Sequence, residues 1–231
     1  MRVVAIHQPN YLPWLGYFAK ISEADEFVFL DDVQYSKNSY INRVKVLHAG
    51  KPRWLTVPVS FRYGDTIDNV MPAQDDWVRR HIDGLKSFYQ KSPFFGEIWT
   101  DITDIYCGLP CNSLASINIE LIERVSTLLK LRCTFKRSSS MVLGDLVGDK
   151  RLAEIVSILA PGGKYLSGEG GDNYQAKETF SSAGISLTYR AFVNPVYTQS
   201  SDQFVSGLSV IDAAFHLGWA TTAKMLSQNR T

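Results

Sequence analysis

The first thirty residues carry a strand–loop–helix–strand signature, and that constrains the fold more than any other feature. Arg2 to Ile6 is a short apolar run with β-branched residues, the pattern of a buried strand. Leu12 to Ser22 reads as a helix, with Leu15, Phe18, Ala19 and Ile21 on one apolar side and Pro13 suited to the first turn. Glu26 to Leu30 is a second apolar run, ended by Asp31 and Asp32. Two strands and a helix within about thirty residues make a βαβ unit. Such a unit requires a parallel strand pair.

A second unit of this kind stands near the other end. A helix over Asp149 to Leu159 is closed by Pro161-Gly162-Gly163. A strand at Lys164 to Leu166, a Gly-rich turn at Ser167 to Asp172, a helix over Asn173 to Ala183 and a strand over Ile185 to Ala191 follow. Between the two units, Val44 to Leu47 and Arg53 to Val59 form a strand pair around His48 to Lys51. Helices are predicted over Asp75 to Tyr89, from Pro93 onward, and over Ser113 to Leu131, the last capped by Asn112 or Ser113. Val210 to Leu217 adds an apolar helix. The alternation predicts an α/β fold, a largely parallel sheet with flanking helices of the Rossmann-like, nucleotide-binding type. One domain over 1–231 is expected, with a helical subregion around 75–131, because no Pro/Gly/Ser-rich linker divides the chain.

Charge narrows the partners. With 24 basic and 23 acidic residues the net charge is +1, so no basic face points to nucleic acid. Contact with a tRNA alone stays open. Lys130, Arg132, Lys136 and Arg137 lie close together and read as a solvated helix end. No window approaches the ~20 apolar residues of a membrane helix. Three cysteines, with no signal-like leader, predict reduced thiols and a cytoplasmic protein. Cys107 and Cys111 would share a helix face, and buried structural thiols are the favoured reading over a metal site. No metal is expected, and no cofactor is named by any motif.

Three constellations can carry chemistry. The first is the loop after the first strand, His7 to Tyr17. In open α/β sheets ligands bind at the carboxyl ends of strands. A connection serving the fold alone would use Gly, Asp or Ser. His7 reads either as an acid–base or ligating group or as a core histidine bonded to backbone. Gln8 and Asn10 add donors and acceptors, while Tyr11, Trp14 and Tyr17 offer walls for a planar ligand. The second is Asp31-Asp32, which can bind sugar hydroxyls or a metal beside a phosphate, or can simply cap a turn. Gln34, Lys37, Asn42 and Arg43 follow at once, and the two cations can meet an anion. The third is the Gly-rich turn, with Ser167 and Gly168 at the end of its strand. It is neither a Walker A nor a G-x-G-x-x-G pattern. Trp77 and His81 sit one turn apart, with His81 able to close a pocket. No nucleophile triad is recognisable. The expectation is a single pocket that gathers His7, Asn10, Asp31 and Gln34, with Ser167 to Gly171 facing it.

Taken together, these residues resemble the WbqC-like protein family. The resemblance is carried by His7 to Phe18, Phe27 to Gln34, Lys37, Asn42-Arg43, Trp54 to Val59, Tyr165 to Gly168 and Leu208 to Asp212. It implies a place in bacterial polysaccharide, O-antigen or natural-product biosynthesis. There it implies an amide-forming acyl or aminoacyl transfer to an amino group of a sugar nucleotide. The alternative is a non-catalytic accessory protein that binds a sugar nucleotide. From the residues themselves, His7 would deprotonate the attacking amine, Asp31 and Asp32 would orient hydroxyls or a metal, and Lys37 and Arg43 would meet an anion. Nucleotide-binding ligases of similar outline use H-x-G-H; here Pro9 and Asn10 replace its last two residues, which argues against that use of ATP.

Overall fold

The computed structural model describes residues 1–173 and 175–228. Chain order runs β1 (Val3–His7), α1 (Leu15–Ser22), β2 (Glu26–Phe29), then a hairpin of β3 (Arg43–His48) and β4 (Lys51–Thr56). A small antiparallel pair, β5 (Val59–Ser60) and β6 (Met71–Pro72), leads into α2 (Trp77–Tyr89), α3 (Phe95–Cys107) and α4 (Leu114–Leu128). The chain continues through β7 (Thr134–Arg137), α5 (Gly148–Leu159), β8 (Lys164–Gly168), α6 (Lys177–Ser182), β9 (Ser186–Arg190) and α7 (Val210–Gln228).

The central sheet has five strands in the order β7-β2-β1-β8-β9, every neighbouring pair parallel. Among themselves these strands read 3-2-1-4-5, an order compatible with the Rossmann type. Strand order reverses at β1, since the chain first builds outward through β2 and β7 and then restarts on the other side with β8. A crevice therefore opens between the carboxyl ends of β1 and β8, the place where α/β sheets take their ligands.

Side chains alternate across the sheet with the period of a strand. Ala5, Phe27, Phe29 and Leu166 face a large core shared with α1, α3, α4 and α7. Val4, Ile6, Val28 and Tyr165 face the other side, against Ile155 and Val156 of α5 and Phe180 of α6. Burial on both faces explains why β1 and β2 read as nearly continuous apolar runs.

Several boundaries differ from the sequence expectation. β7 was missed: Lys136 and Arg137 lie in this edge strand, not in a helix end, and the charged residues hide its half-exposed alternation. The helix expected over Asn173 to Ala183 forms only from Lys177, after a 3₁₀ turn at Glu169–Asn173; position 174 lies outside the described residues. Helix α4 is capped by Ser113, whose Oγ accepts from the Ser116 N–H at 3.3 Å. Cys107 and Cys111 are exposed rather than buried, while the half-buried Cys133 packs against the main core. Cys107 ends α3 and Cys111 lies beyond it, so they do not share a helix face. Among the described residues, no helix is long and apolar enough to cross a membrane.

Candidate functional site

The loop from His7 to Trp14 is held by many contacts. Asn118 of α4 donates to the Pro9 carbonyl at 2.9 Å, the Tyr11 N–H donates to the Tyr40 carbonyl, and Ser209 Oγ donates to the Leu12 carbonyl. Leu12 is fully buried with φ at 39°, a left-handed conformation unusual for a leucine. Backbone strain of this kind persists only where the surroundings over-determine it, and it clusters at functional sites.

That loop forms one wall of a cavity of about 250 Å³ at the reversal point of the sheet. His7 from the end of β1 and Gly168 to Gly170 from the end of β8 line it together. Trp14, Tyr17 and Phe192 supply aromatic walls, with the Trp14 and Phe192 rings edge to face at 5.2 Å. Lys20 of α1 and Arg190 at the end of β9 bring charge. Arg190 is ion-paired with Glu23 at 2.6 Å.

The titratable groups are tuned by burial. His7 Nδ1 donates to the Gln8 carbonyl at 2.9 Å, which leaves the lone pair on Nε2. Burial, aided by the Lys20 charge, lowers its pKa to about 4, so the ring is neutral at pH 7. Lys20 lies buried in α1 with its Nζ donating to the Ile6 carbonyl at 2.8 Å. Burial lowers its pKa to about 7, so ammonium and free amine are comparably populated near neutrality. Lys20 was missed by the sequence reading. The signal was present: it is the lone charge in an otherwise apolar helix, one turn after Gly16.

The expected single pocket is not what the structure brings together. His7, Trp14 and Gly168 line the cavity, and Gln8 acts through its carbonyl, which accepts from both His7 and the Tyr17 hydroxyl. Asn10 and Ser167 are buried nearby and do not line it. Tyr11 points elsewhere: its hydroxyl bonds Tyr106 and donates to His81 Nδ1 at 2.7 Å, while His81 Nε2 donates to the Thr56 carbonyl. His81 is therefore a core histidine rather than a pocket closure.

Asp31 and Asp32 lie outside the cavity. Asp31 accepts from the Ser139 N–H at 3.0 Å, Ser139 Oγ at 2.8 Å and Ser138 Oγ at 3.2 Å. Asp32 is paired with Arg151 of α5 at 2.5 Å. The two carboxylates clasp the end of β2 to the end of β7 and to α5. Gln34 is exposed and bridges Thr66 through its backbone; Lys37 is exposed. Asn42 donates to the Val57 carbonyl, and the Arg43 guanidinium lies over the Trp54 ring at 4.2 Å and donates to the Asn38 carbonyl. Asn42 and Arg43 thus brace the hairpin, and none of the four lines the cavity.

An α/β protein with a small, aromatic-walled cavity at its switch point is the class that the fold and site define. Within it, the chain belongs to the WbqC-like protein family, whose model matches residues 8–224. It is 29% identical over 221 residues to an uncharacterized protein of Mycobacterium tuberculosis, Rv1507c, a match that covers 94% of this chain and 95% of the relative. No solved structure matches it.

Proposed function

We propose that the chain is an amide-forming acyl or aminoacyl transferase whose acceptor is an amino group of a sugar nucleotide. The observation that carries this reading is the joint placement of His7 and Lys20 in one cavity at the sheet's switch point. Family membership supports the biosynthetic setting, polysaccharide or natural-product assembly, through the resemblance described above.

The chemistry follows from the two groups. An attacking amine must lose a proton as its nitrogen bonds the acyl carbon and the donor's leaving group departs. The free amine of Lys20, with a pKa of about 7, is matched to take that proton near neutral pH. Neutral His7, weaker as a base, accepts a hydrogen bond through Nε2 and orients the incoming N–H. This reassigns the base from His7 to Lys20. A cavity of about 250 Å³ takes the reacting sugar ring, and the aromatic walls suit its apolar face; the nucleotide extends outward. Asp31 and Asp32 support the frame and leave the chemistry to the β1 end.

The test is product formation. The purified protein is incubated with amino-sugar nucleotides and acyl-thioester, aminoacyl-adenylate or aminoacyl-tRNA donors, and the sugar nucleotide is followed by mass spectrometry. An acylated product that disappears in Lys20→Met upholds the reading. A sugar nucleotide that binds without any donor being consumed replaces it with the accessory-protein reading.

A further inference from the structure

A second polar cluster stands away from the cavity, where the irregular segment after β9 meets α7. Asp212 and His216 are one turn apart on α7, and Ser200 comes to them from that segment. Ser200 Oγ lies 2.9 Å from His216 Nε2. His216 Nδ1 donates to the Asp212 backbone carbonyl at 2.8 Å, which fixes the ring tautomer and leaves the Nε2 lone pair facing Ser200. The Asp212 carboxylate, fully buried, stands 3.7 Å from the same Nδ1. It is held by the Tyr89 hydroxyl at 3.0 Å, the Tyr197 hydroxyl at 2.7 Å and Gln199 Nε2 at 3.3 Å. The Ser200 N–H also donates to His216 Nε2 at 3.0 Å, so Oγ shares that lone pair with a backbone donor, which must give way as the nitrogen takes the Oγ proton.

We propose that Ser200, His216 and Asp212 form a serine nucleophile that accepts an acyl group from an activated ester or thioester. The arrangement has the required roles: nucleophile to base, base to orienter, with a carboxylate beside the ring to stabilise an imidazolium. Ser200 is exposed while His216 and Asp212 are buried, the accessibility that such a group needs. Ser200 borders a groove of about 560 Å³ between its own segment and the β3–β4 turn. Phe204 and Val205 offer the groove an apolar wall for a short acyl chain, while Lys51 and Asp202 bring one charge of each sign. Lys51 is the cation available to an oxyanion or an anionic leaving group.

In the reaction Oγ bonds the carbonyl carbon and its proton passes to His216 Nε2. The bond from that carbon to the leaving oxygen or sulfur breaks, and the leaving group takes the proton from His216. Water, activated by the same imidazole, then releases the acyl group as a carboxylic acid. The proposal stands apart from the transfer chemistry assigned to the β1 cavity.

The experiment treats the full chain with a phosphonofluoridate probe, which a serine nucleophile displaces with loss of fluoride, and maps the adduct by peptide mass spectrometry. One adduct on Ser200 is expected, absent in Ser200→Ala, a surface change that leaves the fold intact. His216→Gln slows labelling by about 10²-fold or more. No adduct on wild-type protein, an adduct elsewhere, or equal labelling in a His216→Gln variant with unchanged Tm would show that the contact only anchors the loop, and overturns the proposal. Should His216→Gln not fold, the wild-type map and Ser200→Ala decide alone.

Discussion

His7 and Asp31 stand at the ends of neighbouring strands, embedded in equally polar sequence, and the fold uses them in opposite ways. At the end of β2, each carboxylate is matched: three hydrogen bonds reach Asp31, and Asp32 has Arg151. The groups there are consumed by holding β7 and α5 in place. At the end of β1, His7 and Lys20 each make one hydrogen bond, to a backbone carbonyl, and then face a cavity. A polar cluster at a strand end thus becomes a site only where its bonding capacity exceeds what the fold takes up. Buried groups with shifted proton affinity mark the surplus.

The comparison breaks most readily on activity. Lys20→Met keeps the length and burial of the side chain and removes its proton chemistry. Turnover in the acyl-transfer assay should fall by roughly 10²–10⁴-fold, with the Tm unchanged or higher. If instead Lys20→Met retains full turnover in a folded protein, the β1 end loses its base.

Asp31→Ala should give the reverse signature. Removing this buried carboxylate strands the Ser139 N–H and hydroxyl, while Ser138 keeps Asp32 as its acceptor, and stability should fall by about 2–4 kcal/mol in urea unfolding. Turnover per folded molecule should hold. A loss of turnover beyond the unfolded fraction would return Asp31 to the catalytic role first expected for it.

The strands and the α1 crossover were legible because both faces of the sheet are buried, which writes short apolar runs bounded by turn residues. β7 was not, since an edge strand of only four residues ending in two adjacent cations carries no such run. In the site, the His7 loop was legible as a strand-end cluster, whereas Asp31, Asp32, Gln34, Lys37, Asn42 and Arg43, expected in the same pocket, do not line it. Residue type records the capacity to bond and not who the partner is. Lys20 was underread because a lysine on a helix normally extends to water, and only the packing around α1 shows that this one does not. Ser200 and His216 are brought together by an irregular segment, whose path no periodicity encodes.

Linkage gives a sharper version of the same contrast. Lys20 in the unfolded chain binds its proton up to about 10.5, whereas in the folded protein it releases it near 7. Between these values the unfolded state carries more protons, so stability rises with pH. From pH 7 to 9 the rise should be about 2 kcal/mol, read by urea unfolding. It should vanish in Lys20→Met and persist in Asp31→Ala. A rise that survives Lys20→Met would mean that the buried amine is not the group responsible.

The smallest effect tests the cavity wall. Gly16 lies under the Trp14 indole, and a Cβ there would come within 2.6 Å of ring carbons Cζ2 and Cζ3. Alanine would favour the helix by up to about 1 kcal/mol but would force the indole off its seat. The ring also packs edge to face on Phe192 across the cavity, so its displacement deforms the aromatic walls without touching His7 or Lys20. Gly16→Ala should therefore raise KM about tenfold, the equivalent of ~1.4 kcal/mol of uniform binding, with kcat within a factor of two or so. A fall in kcat at constant KM would place the indole in the transition state rather than in the binding wall. An unchanged KM would mean that substrate does not rest on this face, leaving the β1 end without its aromatic half.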